Sequence, residues 1–230
     1  MSVFDEYGRK HEFLVCIDSD GCAMDTMDCK HFYCFGPCMV KEWELEPWKD
    51  EILDYWNRVN LYSMSRGINR FLGLAMVLSH VHDTYKEISQ IGNFSSWTKE
   101  AVQLSNESVK AAWEDNGCEI FRKALAWSQA VNEAVTKLPG ELKKPFAGAR
   151  EGLLAAHEAA DVAIVSSANK EAVKEEWEKF GLMDWVDICL TQTEGSKAYC
   201  IGEMIKAGYA PDHVLMVGDA PGDQDAAEKN

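Results

Sequence analysis

Positive charge is scarce in this sequence: 23 Lys and Arg face 38 Asp and Glu, for a formal net charge of −15. Such a field repels a phosphodiester backbone, so no nucleic-acid partner is expected. An anionic membrane surface is disfavoured for the same reason. Also missing is any run approaching the roughly 20 apolar residues of a spanning helix. Met1 to His11 is polar and mixed in charge, without the apolar stretch of a secretory signal. The eight cysteines are therefore expected as reduced thiols in a cytosol. Asn93-Phe94-Ser95 and Asn106-Glu107-Ser108 match the glycosylation sequon, a match read as chance without a secretion signal. There is no internal repeat and no low-complexity tract. The paired C-x-x-C spacing of a zinc knuckle is absent too. Cys22, Cys29, Cys34 and Cys38, with His31 among them, are separated by six, four and three residues and read as small core side chains.

What is present is a globular composition, 47% hydrophobic over 230 residues. That length suits one large domain, or one core with a second unit inserted. Phe13-Leu14-Val15-Cys16-Ile17 is a short apolar run that ends in Asp18-Ser19-Asp20-Gly21, the pattern of a buried strand and a sharp turn. Asp161-Val162-Ala163-Ile164-Val165 repeats it and ends in Ser166-Ser167. Trp185 to Leu190 is a third candidate strand. His213 to Val217 is a fourth, ending in Gly218-Asp219. Amphipathic helices over 170–180 and 196–207 separate the last three strands. Strand alternating with helix predicts a doubly wound α/β fold whose parallel sheet is covered on both sides.

Between the first two strands lies far more chain than the dozen or so residues a parallel crossover needs. Most of it reads as helix, roughly over 40–62, 68–85, 97–114 and 119–138. Pro139-Gly140 and Pro145 mark an exit linker. The expected organisation is a core of residues 1–27 and 140–230, with an all-helical domain of residues 28–139 inserted after the first strand. At the other end, Asp223 to Asn230 starts a helix and stops. An α/β sheet usually continues into another strand, so the end reads as shortened and its last strand pair as incompletely covered.

Ligands of open parallel sheets gather outside the carboxyl ends of the strands. There the sequence places Asp18 and Asp20, then Ser166, then Asp219 with Asp223 one helical turn later. Lys197 opens the helix after the third strand. Converging carboxylates repel one another unless a cation joins them, and oxygen donors in this number suit magnesium. A divalent cation, a lysine, a small hydroxyl and turn amides together make a phosphoryl site. Asp18 is placed to face the phosphorus. Asp20, past the turn at Gly21, is placed to act as acid and then as base.

The four segments, in order, resemble the four motifs of the haloacid dehalogenase superfamily: Ile17-Asp18-Ser19-Asp20-Gly21, Ile164-Val165-Ser166-Ser167, Gly195-Ser196-Lys197 and Gly218-Asp219-Ala220-Pro221-Gly222-Asp223. The resemblance covers about 13–22 and 145–228. It implies a Rossmann-like core, with the helical insert in the position of a C1-type cap. It implies Asp18 as nucleophile and magnesium ligand. Asp20 becomes the acid/base, with its backbone carbonyl on the metal. Ser166, with Ser167 beside it, and Lys197 hold phosphoryl oxygens. Asp219 binds magnesium directly, and Asp223 directly or through water. The superfamily's dehalogenases lack the second aspartate, so Asp20 favours phosphate chemistry. Cys22 departs from the Thr or Val frequent at its position.

Each residue also has a plainer reading. Asp18 and Asp20 suit a turn, Ser166 a helix N-cap, Lys197 a solvated surface, and Asp223 a helix N-terminus. Four motifs in register outweigh these. Arg66 and Arg70, around Gly67-Ile68-Asn69, are candidate substrate contacts through a carboxylate or second phosphate. An exposed helix start with ordinary salt bridges is slightly favoured for them. The expected activity is hydrolysis of a small phosphorylated metabolite beneath the cap. Phosphoryl transfer, as in a phosphomutase, would use the same core residues. A non-catalytic phospho-acceptor like a response-regulator receiver would need neither Asp20 nor the large insert.

Overall fold

The computed structural model describes residues 2–230. The chain forms two compact units, Met1–Met27 with Pro139–Asn230, and Asp28–Leu138. In chain order, α1 (Val3–Glu6), β1 (Phe13–Ile17) and β2 (Met24–Asp25) come first. Helices α2 (Met27–Lys30), α3 (Gly36–Glu42), α4 (Lys49–Leu61), α5 (Arg70–Thr84), α6 (Ile91–Glu100), α7 (Asn106–Asn116) and α8 (Glu119–Lys137) follow. The chain then returns through β3 (Lys144–Pro145), α9 (Ala149–His157), β4 (Ala160–Val165), α10 (Lys170–Lys179), β5 (Ile188–Leu190), α11 (Lys197–Lys206), β6 (Val214–Val217) and α12 (Pro221–Glu228).

The first unit is built on a parallel sheet of order β5-β4-β1-β6, with Phe13 opposite Ala160 and Ile17 opposite both Ile164 and Val217. Because a strand's side chains alternate between faces, its apolar runs divide into two cores. Leu14, Cys16, Ala163, Val165 and Leu190 pack on one face with Ile201 and Met204 of α11 and Ala226 of α12. Ile17, Val162, Ile164 and Cys189 pack on the other with Leu153 of α9 and Val173 and Trp177 of α10. The expected α/β layering is therefore present, except at the edge. On β6, Leu215 and Val217 remain exposed on the second face. The strands β2 and β3 pair antiparallel in a two-residue ribbon that joins the chain's departure from this unit to its return.

The second unit is helical around one core that contains Trp56, Phe71, Leu74, Leu78, Val81, Phe94, Phe121 and Trp127. Two expected helices are interrupted. The stretch over 40–62 breaks after Glu42. Glu44 adopts a φ of 55°, and the freed carbonyls of Glu42 and Trp43 are taken by the ammonium groups of Lys123 at 3.0 Å and Lys86 at 2.9 Å. The stretch over 97–114 is two helices, because Ser105 caps α7 by accepting from the Ser108 amide. Residues 31–35 form a π-helical turn in which the buried His31 Nδ1 accepts from Trp56 Nε1 at 3.0 Å. Back in the first unit, the third strand is shorter than expected, since Met183–Trp185 turns as a 3₁₀ helix before it.

Candidate active site

At the carboxyl end of β1, the strand's alternation continues into the turn. Asp18 follows Leu14 and Cys16 toward the face covered by α11. Ser19 follows Ile17 toward the face covered by α10. The turn is held by its backbone: the Asp18 amide donates to Val217 O at 2.9 Å, and Gly21 N donates to Met24 O at 2.8 Å. Gly21 is obligatory on two counts. Its φ is 89°, and a Cβ there would lie 2.4 Å from the Asp219 carboxylate. Gly218 is confined by contact alone, since a Cβ there would meet the Asp223 carboxyl group.

Asp18 is 5% exposed. Its Oδ1 accepts from the Ser19 amide at 2.8 Å and meets Lys197 Nζ at 2.9 Å. Lys197 comes from the first turn of α11, whose N-cap is Ser196, and it also binds Asp223 Oδ1. Asp223 is 3% exposed, and its Oδ2 accepts from the Ala220 amide at 3.1 Å. Burial pushes the Asp18 carboxyl up to about 7, against the pull of Lys197 and with the help of Asp223 and Asp20. Burial works to discharge Lys197, but Asp18 and Asp223 outweigh it and hold the ammonium above its ordinary range.

Oxygens of Asp18, Asp219 and Asp223 lie within 4.8 Å of one another. An all-oxygen carboxylate set fits a hard divalent cation. Among the described residues no other group of three or more His, Cys, Asp and Glu is arranged to hold a metal, and no disulfide joins the cysteines. Asp219 and Asp223 also line an open groove of about 530 Å³.

The remaining site residues fall as follows. The Asp20 carboxylate is half-buried and accepts from the Thr26 hydroxyl. Thr26 is fully buried and was not singled out in the sequence. Its signal is a hydroxyl six positions after the second aspartate, near the end of the turn. Ser166 is buried at the end of β4, and its Oγ accepts from the Ala168 amide at 3.1 Å. It is not the cap of α10: Asn169 is, accepting from the amides of Glu171 and Ala172. Ser167 beside it is exposed. The loop before Lys197 is braced by Glu194, which accepts from the amide and hydroxyl of Thr191 and pairs with Lys170 at the start of α10. Arg66 and Arg70 lie in the helical unit and have structural partners there. Arg66 donates to Leu61 O at 3.1 Å. Arg70 donates to Asn132 Oδ1 at 2.8 Å and Ser128 Oγ at 3.0 Å, and lies over the Phe35 ring.

A family model described as haloacid dehalogenase-like hydrolase matches residues 77–230, well over half of the chain. The chain belongs to the haloacid dehalogenase-like hydrolases. The match takes in Ser166, Lys197, Asp219 and Asp223, while Asp18 and Asp20 lie before it. Among solved structures, the chain is similar to a haloacid dehalogenase-like hydrolase from Bacteroides fragilis, with a TM-score of 0.59, 12% identity, and coverage of 96% of this chain and 84% of that one. It is similar to a protein described as a predicted phosphoglycolate phosphatase from Haemophilus somnus, with a TM-score of 0.55, 14% identity, and coverage of 96% and 83%. A protein described as a predicted phosphatase from Clostridium acetobutylicum gives 0.51, 13%, 96% and 82%. At these identities the likeness is one of fold. Comparison with curated protein sequences finds no match. No helix among the described residues is long and apolar enough to cross a membrane.

Proposed function

We propose that this haloacid dehalogenase-like hydrolase is a magnesium-dependent phosphatase that cleaves a small phosphomonoester through an aspartyl phosphate on Asp18. The observation that carries the reading is the setting of Asp18, buried against Lys197 and within ligand distance of Asp219 and Asp223, with a second carboxylate at Asp20. Phosphatases named among the structures of like fold support it. Asp18, Asp219 and Asp223 would hold the magnesium, and the family resemblance adds the Asp20 carbonyl. When bound, the cation supplies the positive charge that the carboxylates and the phosphoryl oxygens lack.

The chain's own residues do the rest. Lys197 and Ser166, with Ser167 beside it, hold phosphoryl oxygens. Asp18 Oδ1 is engaged by Ser19 and Lys197, so Oδ2 attacks phosphorus. Asp20, oriented by Thr26, gives its proton to the departing alkoxide, which leaves as an alcohol. Asp20 then takes a proton from water. That water attacks the phosphorus of the aspartyl phosphate, the bond to Asp18 breaks, and inorganic phosphate departs. The helical unit serves as a cap that selects a small phosphorylated metabolite, with Arg66 and Arg70 as candidate contacts. The net charge of −15 argues against nucleic acid and membrane surfaces as partners, and eight cysteines without a disulfide suit the cytosol.

The test is phosphate release from a panel of small phosphomonoesters, with magnesium and then with EDTA. Wild type is expected to release phosphate only with the metal. Asp18→Asn is expected to abolish release, and Asp20→Asn to slow it by about 10²–10⁴-fold. A folded wild type that releases phosphate from no ester contradicts the reading.

A further inference from the structure

Trp177 has a polar bond that its place in an apolar core does not require. It is fully buried among the apolar side chains Ile17, Val162, Ile164 and Val173. Yet its Nε1 donates to Ser19 Oγ at 2.9 Å, across 158 positions of sequence, and Ser19 is itself fully buried. Ser19 stands between the two aspartates of the proposed mechanism and is the node of their turn. Its amide donates to Asp18 Oδ1 at 2.8 Å. Its carbonyl accepts from the amides of Met24 at 2.8 Å and Cys22 at 3.3 Å. Fixing the Ser19 side chain therefore fixes the peptide that orients the Asp18 carboxylate.

The helix that carries Trp177 is tied to the other parts of the site as well. The α10 helix begins directly after the Ser166 turn, capped by Asn169. Its first residue, Lys170, pairs with Glu194, which braces the loop leading to Lys197. One rigid helix thus sets the spacing among the nucleophile turn, the phosphate-binding turn and the lysine.

We infer that Trp177 is a positioning residue for the nucleophile, acting through its hydrogen bond to Ser19. The inference rests on the phosphatase reading above. It is tested on the full chain with magnesium and the best ester of the panel, using Trp177→Phe, Ser19→Ala and the double variant. Each single change is expected to lower kcat about ten- to a hundredfold and leave KM within about twofold, since a misplacement near 1 Å carries that cost. The double variant is expected to fall no further than the worse single one, because both remove the same bond. A rapid-quench assay is expected to find the loss in formation of the aspartyl phosphate, a step that a general loss of stability would not single out. Urea unfolding of each variant gives its folded fraction. A Trp177→Phe enzyme with wild-type kcat, or with a loss that only follows its folded fraction, overturns the inference and leaves the phosphatase reading standing. A folded wild type that turns over no ester overturns both.

Discussion

Asp18 and Asp161 are two buried aspartates on neighbouring strands of one sheet, at opposite ends of it. They sit in opposite electrostatic states. Asp161, at the start of β4, is fully buried, and burial alone would raise it. It accepts from the amides of Lys10 at 2.9 Å and His11 at 3.0 Å, from the His11 ring and from the Tyr209 hydroxyl. These donors outweigh burial and hold its carboxyl down to about 2. Asp18 has one amide and a shared lysine, faces two further carboxylates, and is pushed up to about 7. The end where Asp161 lies is satisfied and straps the N-terminal segment onto the sheet. The end where Asp18 lies gathers three carboxylates around one lysine. Stability has been spent at one end and left unclaimed at the other, as expected where function is built.

The contrast can be broken most forcefully at Lys197. Replacing it with Met leaves Asp18 and Asp223 buried without their cation. Without metal, stability is expected to fall by about 3–5 kcal/mol. Magnesium should then raise the urea midpoint of Lys197→Met more than that of wild type; equal shifts would mean that the lysine and the cation do not serve the same charges.

Asp18→Asn should act in the other direction. A carboxyl that ordinarily titrates at 3.8 but is held up to about 7 makes the folded state bind more protons than the unfolded one across that interval. Metal-free wild type therefore loses stability as pH rises from 3.8 to about 7. Asp18→Asn is expected to remove this slope and to stabilise the metal-free protein near neutrality by up to about 4 kcal/mol. Urea melts of both proteins without metal check it, and parallel pH dependences would count against the assignment.

The smallest effect is expected at Asp161, with the opposite sign. Its folded value near 2 lies below 3.8, so its contribution is complete above 3.8 and lost as pH falls through about 2. Asp161→Asn should cost about 1–3 kcal/mol at neutral pH, leave turnover unchanged, and come closer to wild type in acid. The difference between Asp18→Asn and wild type above 3.8 thus reports on one end of the sheet, and the difference between Asp161→Asn and wild type below 3.8 on the other.

What could be read in the sequence was what depends on local pattern. Three strands are apolar runs that each end in a polar turn, so β1, β4 and β6 and their terminal carboxylates and hydroxyl were visible without contacts. The helix over 119–137 was equally plain, since Phe121, Ala124, Leu125 and Ser128 repeat on one face. The α9 helix was hidden because Leu153 is its one buried residue, too little for a periodic signal. The turn over 31–35 follows π-helical spacing, so no 3.6-residue repeat marks it. In the site, the acidic residues are marked by their motifs, whereas Thr26 and Trp177 are not. Trp177 reads as an apolar face residue, and the partner of its N–H is a serine 158 positions away. Sequence reveals that a tryptophan is buried, but not which hydrogen bond its burial was built around.

The most direct measurement is to quench wild type during turnover of its best phosphomonoester, reduce the trapped acyl phosphate with borohydride, and locate the altered residue by mass spectrometry. Modification confined to position 18 is the expected result, absent when magnesium is chelated. Turnover without modification, or modification at another residue, would contradict a nucleophilic Asp18.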